Sequence, residues 1–342
     1  LIVQWRIRTK GNLKIQNKMS ASFLANTKIK FIEKRKISYI FSAIIITAGI
    51  VSFATRGFEL GVDFQGGREY KIRFEQPINT QTAKAHLDDA FNSSTVVKTI
   101  GSANQIKVTT SFLIDKNNAE SDRLSDSTLF VGVQEFLPEQ TTFETFKTVN
   151  LLSQQKVDPT ISVDIIKSST TAVALSIIAI FLYILVRFRT LGYSLGAITS
   201  TIHDALFLLA IFSLLHGILP FTMEVNQTFI AAILTVIGYS LNDTVVVFDR
   251  LREYTTDKSQ QKFPMSEQMN NAINSTLSRT VNTALTTMLT LVILFVFGGE
   301  SLRSFSFAMS IGVLIGTYSS IFIASPVMFD FETWRSKKQT SK

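Results

Sequence analysis

The stretch Thr228–Phe248 reads TFIAAILTVIGYSLNDTVVVF and contains a single charged residue, Asp243. A nearly uncharged run of about 18 or more residues is long enough to cross the hydrocarbon core of a bilayer as a helix. Five further apolar runs occur in the chain, so the sequence predicts an α-helical polytopic membrane protein. The six predicted transmembrane spans are 37–53, 168–186, 193–215, 228–248, 281–297 and 305–329.

The composition of the 342-residue chain agrees with a membrane protein. Apolar residues make up 46% of the chain and charged residues 18%, whereas an average globular domain has roughly a quarter charged residues. This excludes a disordered chain and a purely soluble protein. The chain has no cysteine, which excludes disulfides, thiol catalysis and cysteine metal sites.

Lysine and arginine collect on one side of the predicted membrane. The lead 1–36 has ten of them, the segment 249–280 has five and the tail 330–342 has four, whereas the loop 216–227 has none. The positive-inside rule therefore predicts that both termini and the loop 249–280 are cytoplasmic. The apolar start at Leu1 predicts either a piece of a longer chain, such as a C-terminal half, or a frayed terminus.

The polar segment 54–167 falls between the first two spans, and we predict an external α+β domain there. Period-two patterns, capping residues and a Gly101 turn give the order strand-helix-strand-strand-helix-strand, which is typical of the ferredoxin-like split βαβ fold. The predicted strands are 69–74, 95–100, 105–110 and 145–155, and the predicted helices are 79–91 and 119–137.

Ionisable residues inside a span are costly, so each is a functional candidate. Asp243 lies about 9 Å from the cytoplasmic end of its span at the helical rise. A carboxylate there is poorly solvated, so it could take up and release a proton. Arg279 begins the fifth span at the same level, and a switchable Asp243–Arg279 pair would form a proton gate. The alternative is a static ion pair that fixes helix packing.

A second polar pair, His203 and Asp204, lies near the middle of the third span. It is a candidate for a proton relay or for a packing contact between helices, as is Asn242. No further His or acidic cluster accompanies the pair, so we predict no metal site. Charged residues beyond the fourth span, Asp249, Arg250, Arg252 and Glu253, have helical spacing and indicate a solvated, salt-bridged face. GxxxG pairs at 192/196 and 312/316 indicate close helix packing.

The segment Gly61–Gly67 reads GVDFQGG and predicts a tight backbone path just after the first span. It is not a phosphate-binding loop, because no Lys-Ser/Thr follows and GxxxxGK[ST] occurs nowhere in the chain. Since no nucleotide site is visible, we expect no enzyme, and any work must draw on an ion gradient or on a partner.

Four stretches of the sequence indicate its family, and they are 61–67, 157–160, 238–250 and 277–283. Together they closely resemble the SecF family, the smaller partner of the bacterial SecDF protein-export apparatus, in the resistance-nodulation-division superfamily. The resemblance extends from about residue 31 to residue 334. One departure concerns Val157-Asp158-Pro159, where the family usually has Val-Gly-Pro, so the turn there is open to question.

The resemblance implies a multi-pass protein of the bacterial inner membrane whose periplasmic domain helps to pull or hold an unfolded preprotein by using the proton-motive force. The essential aspartate of the family falls on Asp243, and its arginine partner falls on Arg279. The implied partners are SecD, either separate or as a fused N-terminal half, the SecYEG channel, YajC, YidC and membrane lipid, but no nucleic acid. No cofactor is implied besides the coupling ion, H⁺ or Na⁺. The motif residues read as structural are Gly61, Asp63, Gly66, Gly67, Asp249 and Arg250.

Three other functions remain open from the residues. An intramembrane aspartyl protease would pair Asp204 with Asp243, but the two differ in depth by roughly 8 Å at the helical rise and the usual Gly-x-Gly-Asp context is missing. A small-molecule exporter of the same superfamily would carry larger external domains. A passive assembly factor for SecD or the channel would tolerate substitution of Asp243.

Overall fold

The computed structural model describes residue 24 and residues 27–340, apart from 220, 258 and 260. Most of the predicted lead 1–36, including Leu1, and the end of the tail lie outside the described residues. Within the described chain, six helices are long and apolar enough to cross a membrane. These helices and a four-stranded antiparallel sheet confirm the predicted fold class.

The α-helices and strands of five residues or more are labelled in chain order. A π-helical turn, Ser320–Ala324, joins the helix Gly299–Ser319 to the helix Ser325–Thr340, and together they form the sixth span. The elements are α1 (Arg35–Arg56), β1 (Gly67–Arg73), α2 (Thr80–Phe91), β2 (Val96–Ile100), β3 (Ser102–Thr110), α3 (Ala119–Val133), β4 (Leu151–Val157), α4 (Pro159–Phe188), α5 (Leu191–Leu215), α6 (Gln227–Thr256), α7 (Met265–Phe297), α8 (Gly299–Ser319) and α9 (Ser325–Thr340).

The membrane-spanning helices extend beyond the predicted spans. Helix α4 begins at Pro159 rather than at 168. Helices α6 and α7 continue through most of the predicted loop 249–280 and leave only a short connection between Thr256 and Met265. Hydropathy marks the part of a helix that lies in lipid, whereas backbone hydrogen bonding continues into water when polar side chains favour it.

The sheet order β2-β3-β1-β4, with one helix between β1 and β2 and another between β3 and β4, is the ferredoxin-like arrangement that the sequence predicts. We call residues 59–158 the α+β domain. The end of the helical bundle that faces this domain is called the domain end. The predicted fourth strand 145–155 is wrong at its start. The Thr142 hydroxyl accepts a hydrogen bond from the Thr145 amide and begins a helical turn, so β4 starts only at Leu151.

Small residues allow the bundle helices to approach closely. A Cβ atom on Gly312 of α8 would lie 2.0 Å from Val236 of α6, and one on Gly316 would lie 2.9 Å from Ser240. A Cβ atom on Gly196 of α5 would lie 2.5 Å from a backbone oxygen of the π-helical turn. The predicted role of the GxxxG pairs in packing is therefore confirmed.

Candidate ion-coupling site

Asp243 lies on α6 and turns into the bundle, where its side chain is buried. Its Oδ2 atom has no hydrogen-bond partner. The hydroxyl oxygen of Thr317 on α8 is likewise buried without a hydrogen-bond partner. A buried carboxylate oxygen without a donor is unstable unless a proton or a cation neutralises it. The geometry is therefore that of a site able to exchange one cationic partner for another.

The predicted ion pair between Asp243 and Arg279 is not closed in this structure. No Arg279 nitrogen lies within 4.0 Å of an Asp243 oxygen, and the Arg279 side chain is exposed on the outer face of α7. Asn242, next to Asp243, is also exposed. The carboxylate of Asp243 is thus buried, whereas Arg279 is exposed and does not pair with it.

His203 and Asp204 form a buried polar cluster that joins four helices. Nδ1 of His203 lies 3.0 Å from Oδ1 of Asp204, and Nε2 lies 2.9 Å from the Ser42 hydroxyl of α1. Oδ2 of Asp204 accepts hydrogen bonds from Ser240 of α6 at 2.6 Å and from Ser319 of α8 at 2.8 Å. The pair therefore makes packing contacts between helices, one of its two predicted roles, and the relay remains a prediction.

Hydrogen-bond directions determine how many protons this cluster holds. The Tyr318 hydroxyl donates its one hydrogen to the Ser38 carbonyl, so Ser42 must donate to Tyr318 and accept from Nε2 of His203. The contact between Nδ1 and Asp204 needs one more hydrogen. The His203–Asp204 pair therefore carries two protons and no net charge, either as imidazolium with carboxylate or as two neutral groups.

The two buried aspartates do not form a catalytic dyad. Both oxygens of Asp204 are occupied by His203, Ser240 and Ser319, whereas an aspartyl protease needs two carboxyl groups that share a proton. Ser240 lies one helical turn before Asp243 on α6, so the two carboxylates are linked through the helix and not directly. Among the described residues, no cluster of three or more His, Cys, Asp or Glu side chains is placed to hold a metal ion.

The sequence did not single out the serines that complete this cluster. Ser42, Ser240 and Ser319 each lie on a different helix, and serine is common in membrane helices without a functional role. A usable signal was their position within otherwise apolar runs, since a buried hydroxyl needs a partner.

The charged residues at the far end of α6 form exposed ion pairs. Asp249 receives two hydrogen bonds from Arg187 of α4, at 2.8 and 3.0 Å. Arg250 pairs with Glu253 of the same helix at 2.6 Å. The pair between Arg187 and Asp249 fastens α4 to α6, and both pairs support a structural role.

The Gly61–Gly67 segment lies at the domain end of the bundle, against the first residues of α4 and α6. Gly66 and Gly67 adopt positive φ angles of +71° and +134°, which explains glycine at both positions. A Cβ atom on Gly61 would lie 2.9 Å from Asn226, just before α6. Asp63 accepts a hydrogen bond from the Gln227 amide at 3.0 Å.

The departure at Asp158 has a simple local explanation. Asp158 has extended backbone angles and needs no glycine conformation, and its side chain accepts the Thr160 amide at 2.8 Å as the N-cap of α4. The hydrogen bonds from the Thr160 hydroxyl and amide lower the pKa of Asp158. Aspartate therefore begins this helix without strain.

Comparison with known proteins identifies the class to which this fold and site belong. The family model described as "Protein export membrane protein SecD/SecF, C-terminal" matches residues 138–334, and the SecD/SecF GG motif matches residues 51–78. The chain belongs to the SecD/SecF family of protein-export membrane proteins.

Relatives narrow this class to the SecF type. The chain is 42% identical to protein translocase subunit SecF of Rhodothermus marinus, over 89% of this chain and 94% of that protein. It is 36% identical to SecF of Magnetococcus marinus, over 90% and 93% of the two chains.

Two solved SecDF structures share the fold. A crystal structure of SecDF from Thermus, described as a translocon-associated membrane protein, matches 97% of this chain with a TM-score of 0.79 at 26% identity. SecDF in a super-membrane-facing form matches 98% with a TM-score of 0.65. The chain spans 42% of the length of each of these SecDF chains.

Proposed function

We propose that this chain is the SecF-type subunit that, together with SecD, uses the proton-motive force to drive the late stage of preprotein translocation through SecYEG. Membership of the SecD/SecF family supports the export role. The observation that carries the coupling role is Asp243, whose buried Oδ2 atom lacks a hydrogen-bond partner.

The coupling step is an exchange of partners at Asp243. In the observed arrangement Arg279 does not pair with the carboxylate, so a proton is the natural partner of the carboxylate. When the proton leaves, the buried charge attracts the Arg279 guanidinium, and α6 and α7 must shift to bring the two together. The cluster of His203 and Asp204 contacts Ser240, which lies on α6 together with Asp243. This cluster would serve as a relay or as a second proton site. Na⁺ is the alternative coupling ion.

Two exposed polar side chains, Asn242 of α6 and Arg279 of α7, support SecD as the partner. Polar side chains in contact with lipid are costly, so such residues on membrane-spanning helices favour a protein partner with a matching surface. SecD, as a related chain, would meet these helices in the way that repeats meet in transporters. Thr235, Thr286 and Thr290 are exposed as well, but their hydroxyls donate to carbonyls of their own helices.

The charge distribution supports the bacterial inner membrane as location, with both termini in the cytoplasm and the α+β domain in the periplasm. Around this unit we place SecYEG, YajC and YidC as partners, and an unfolded preprotein as substrate. The protein acts as a gradient-driven component and not as an enzyme, and it needs no cofactor besides its coupling ion.

Asp243→Asn tests this function, because asparagine keeps the size and polarity of aspartate but does not titrate. Export of a secretory preprotein into inverted membrane vesicles is measured with SecYEG, its ATPase and ATP present, with and without an imposed proton gradient. Asp249→Asn is the matched control, since Asp249 pairs with Arg187 at the exposed end of the same helix.

We expect Asp243→Asn to assemble with SecD and to lose the gradient-dependent part of export, while Asp249→Asn retains it. A sodium gradient that replaces the proton gradient identifies Na⁺ as the ion. Unchanged gradient dependence in Asp243→Asn would contradict the coupling role and favour a passive assembly factor.

A further inference from the structure

We propose that Asp63 is a positioning residue that fastens the domain end of α6 to the α+β domain, so that movement of α6 is transmitted to that domain. The inference rests on the proposed function, because it takes α6 as the helix that responds to the coupling ion. It assigns a mechanical role to a carboxylate that the coupling step does not use.

The chain itself does not connect α6 to the α+β domain. The domain is covalently continuous with α1 on one side and with α4 on the other, and neither of these helices carries Asp243. Any shift of α6 must therefore reach the domain through non-covalent contacts. Helix α6 is unbroken from Gln227 to Thr256, so its domain end, about 24 Å from Asp243 at the helical rise, moves with the coupling site.

The Asp63 carboxylate makes one hydrogen bond to each of the two bodies. Its Oδ2 atom accepts from the backbone amide of Gln227, the first residue of α6, at 3.0 Å. Its Oδ1 atom accepts from Nε2 of Gln155 on the edge strand β4, at 2.7 Å. Asn226 already caps α6 by accepting the Phe229 amide, so Asp63 adds a link between elements to an ordinary cap. Its negative charge also suits the N-terminus of a helix.

Backbone pairing holds Asp63 in register with α6. Leu60 and Val225 form a parallel bridge, in which the Val225 amide donates to Glu59 at 2.8 Å and the Gly61 amide donates to Val225 at 3.0 Å. Because Gly61 lies against Asn226, a side chain at that position would force the two strands of this bridge apart. The glycine thus permits the close contact on which the Asp63 hydrogen bonds depend.

Ion pairs connect the sheet to the same junction. Lys107 of β3 is 3% exposed and pairs with Glu224, three residues before α6, while Lys98 of β2 pairs with Glu59 at 2.5 Å. Removing one partner of a buried pair leaves an uncompensated charge, so Lys107 and Glu224 resist separation. A displacement of α6 is therefore passed to β3 as well as to β4.

Labelling tests the connection directly, because the chain has no cysteine of its own. Spin labels on Asp89→Cys in α2 and Ala231→Cys in α6, both exposed positions, report the distance between the domain and α6 in the full chain with SecD in proteoliposomes. The variants are Asp63→Ala, which removes both hydrogen bonds of the link, and Gln155→Leu, which removes only the hydrogen bond to β4. Asp115→Ala, at an exposed carboxylate of the same domain that takes no part in the contacts with α6 described above, is the control. Gradient-dependent export is measured for each variant.

We expect Asp63→Ala and Gln155→Leu to broaden the distance distribution and to lose most of the gradient-dependent export, with ATP-driven export and the Asp115→Ala control unchanged. Gln155→Leu keeps the test decisive if Asp63→Ala fails to fold. A distance distribution or a gradient dependence in both variants equal to that of the control overturns the inference. If the unsubstituted protein shows no gradient-dependent export, the proposed function fails, and the coupling role of Asp63 fails with it.

Discussion

Two buried carboxylates in the bundle differ in how completely they are hydrogen-bonded. Asp204 has three partners on three side chains, whereas Asp243 retains a buried oxygen with none. A fully bonded carboxylate with a histidine beside it holds its protons and fixes packing, while an incompletely bonded one gains from taking up a partner. This contrast favours Asp243 as the residue that switches and Asp204 as the residue that holds the helices around it.

Asp122 gives the α+β domain a predictable acid sensitivity. Hydrogen bonds from the buried Arg68 and from Lys156 hold the pKa of Asp122 below its ordinary value. Because the folded-state pKa is depressed, its stabilisation is present above the unfolded-state pKa of about 4 and is lost as the pH falls through the folded-state pKa. We expect Asp122→Asn to destabilise the domain near neutral pH by about 1 kcal/mol, since solvent screens part of the pair.

Hydrogen exchange of the β1 amides in the full chain measures this effect. The difference in protection between the unsubstituted protein and Asp122→Asn should be constant between about pH 7 and about pH 5, and should shrink as the pH falls from about 5 to about 2. A difference in protection that stays constant as the pH falls through this lower range would show that the charge of the Asp122 carboxylate does not stabilise the domain.

At the scale of elements, hydropathy predicted the six spans, and period-two patterns predicted most of the sheet. Both signals come from burial, which acts on many residues at once. The start of β4 was missed because one capping hydroxyl, that of Thr142, outweighed a run of β-branched residues. The π-helical turn Ser320–Ala324 and the link from Asp63 to α6 have no local signal, since they depend on which helices meet.

The contact between α6 and α8 depends on Gly312. Because an added Cβ atom would lie 2.0 Å from Val236, we expect Gly312→Ala to push the two helices apart and to lower the thermal unfolding temperature by several degrees, as overpacking by about 1–3 kcal/mol does. Gly238→Ala on α6 is the matched control, since nothing lies within 4 Å of its added Cβ.

The thermal unfolding temperature of the purified chain in detergent distinguishes the effects of Gly312→Ala and Gly238→Ala. Gly238→Ala should leave the unfolding temperature unchanged or raise it slightly, because alanine favours a helix. Equal unfolding temperatures for both variants would mean that α6 and α8 are not packed as closely as described.

The whole molecule presents two kinds of surface along its membrane-spanning helices. Helix α4 exposes aliphatic side chains such as Leu182 and Val186, as expected for contact with lipid, while α6 and α7 expose Asn242 and Arg279. The sequence identified these residues one at a time, but it did not show that both stay exposed after α6 and α7 have packed into the bundle.

Cysteine cross-linking tests whether SecD lies against α6. We expect Asn242→Cys to cross-link to a cysteine introduced on the corresponding helix of SecD in membranes, and Val186→Cys, whose native side chain is 76% exposed on α4, to react with lipid-soluble reagents only. Cross-linking to SecD from the α4 position in preference to the α6 position would place SecD elsewhere.

Infrared difference spectroscopy measures directly whether Asp243 takes up and releases the coupling proton. The carbonyl stretch of a protonated carboxylic acid is recorded in proteoliposomes between about pH 5 and about pH 8, for the unsubstituted protein, Asp243→Asn and Asp204→Asn. We expect a pH-dependent band that disappears in Asp243→Asn and persists in Asp204→Asn. The same pH-dependent band in Asp243→Asn as in the unsubstituted protein would show that Asp243 does not exchange the coupling proton.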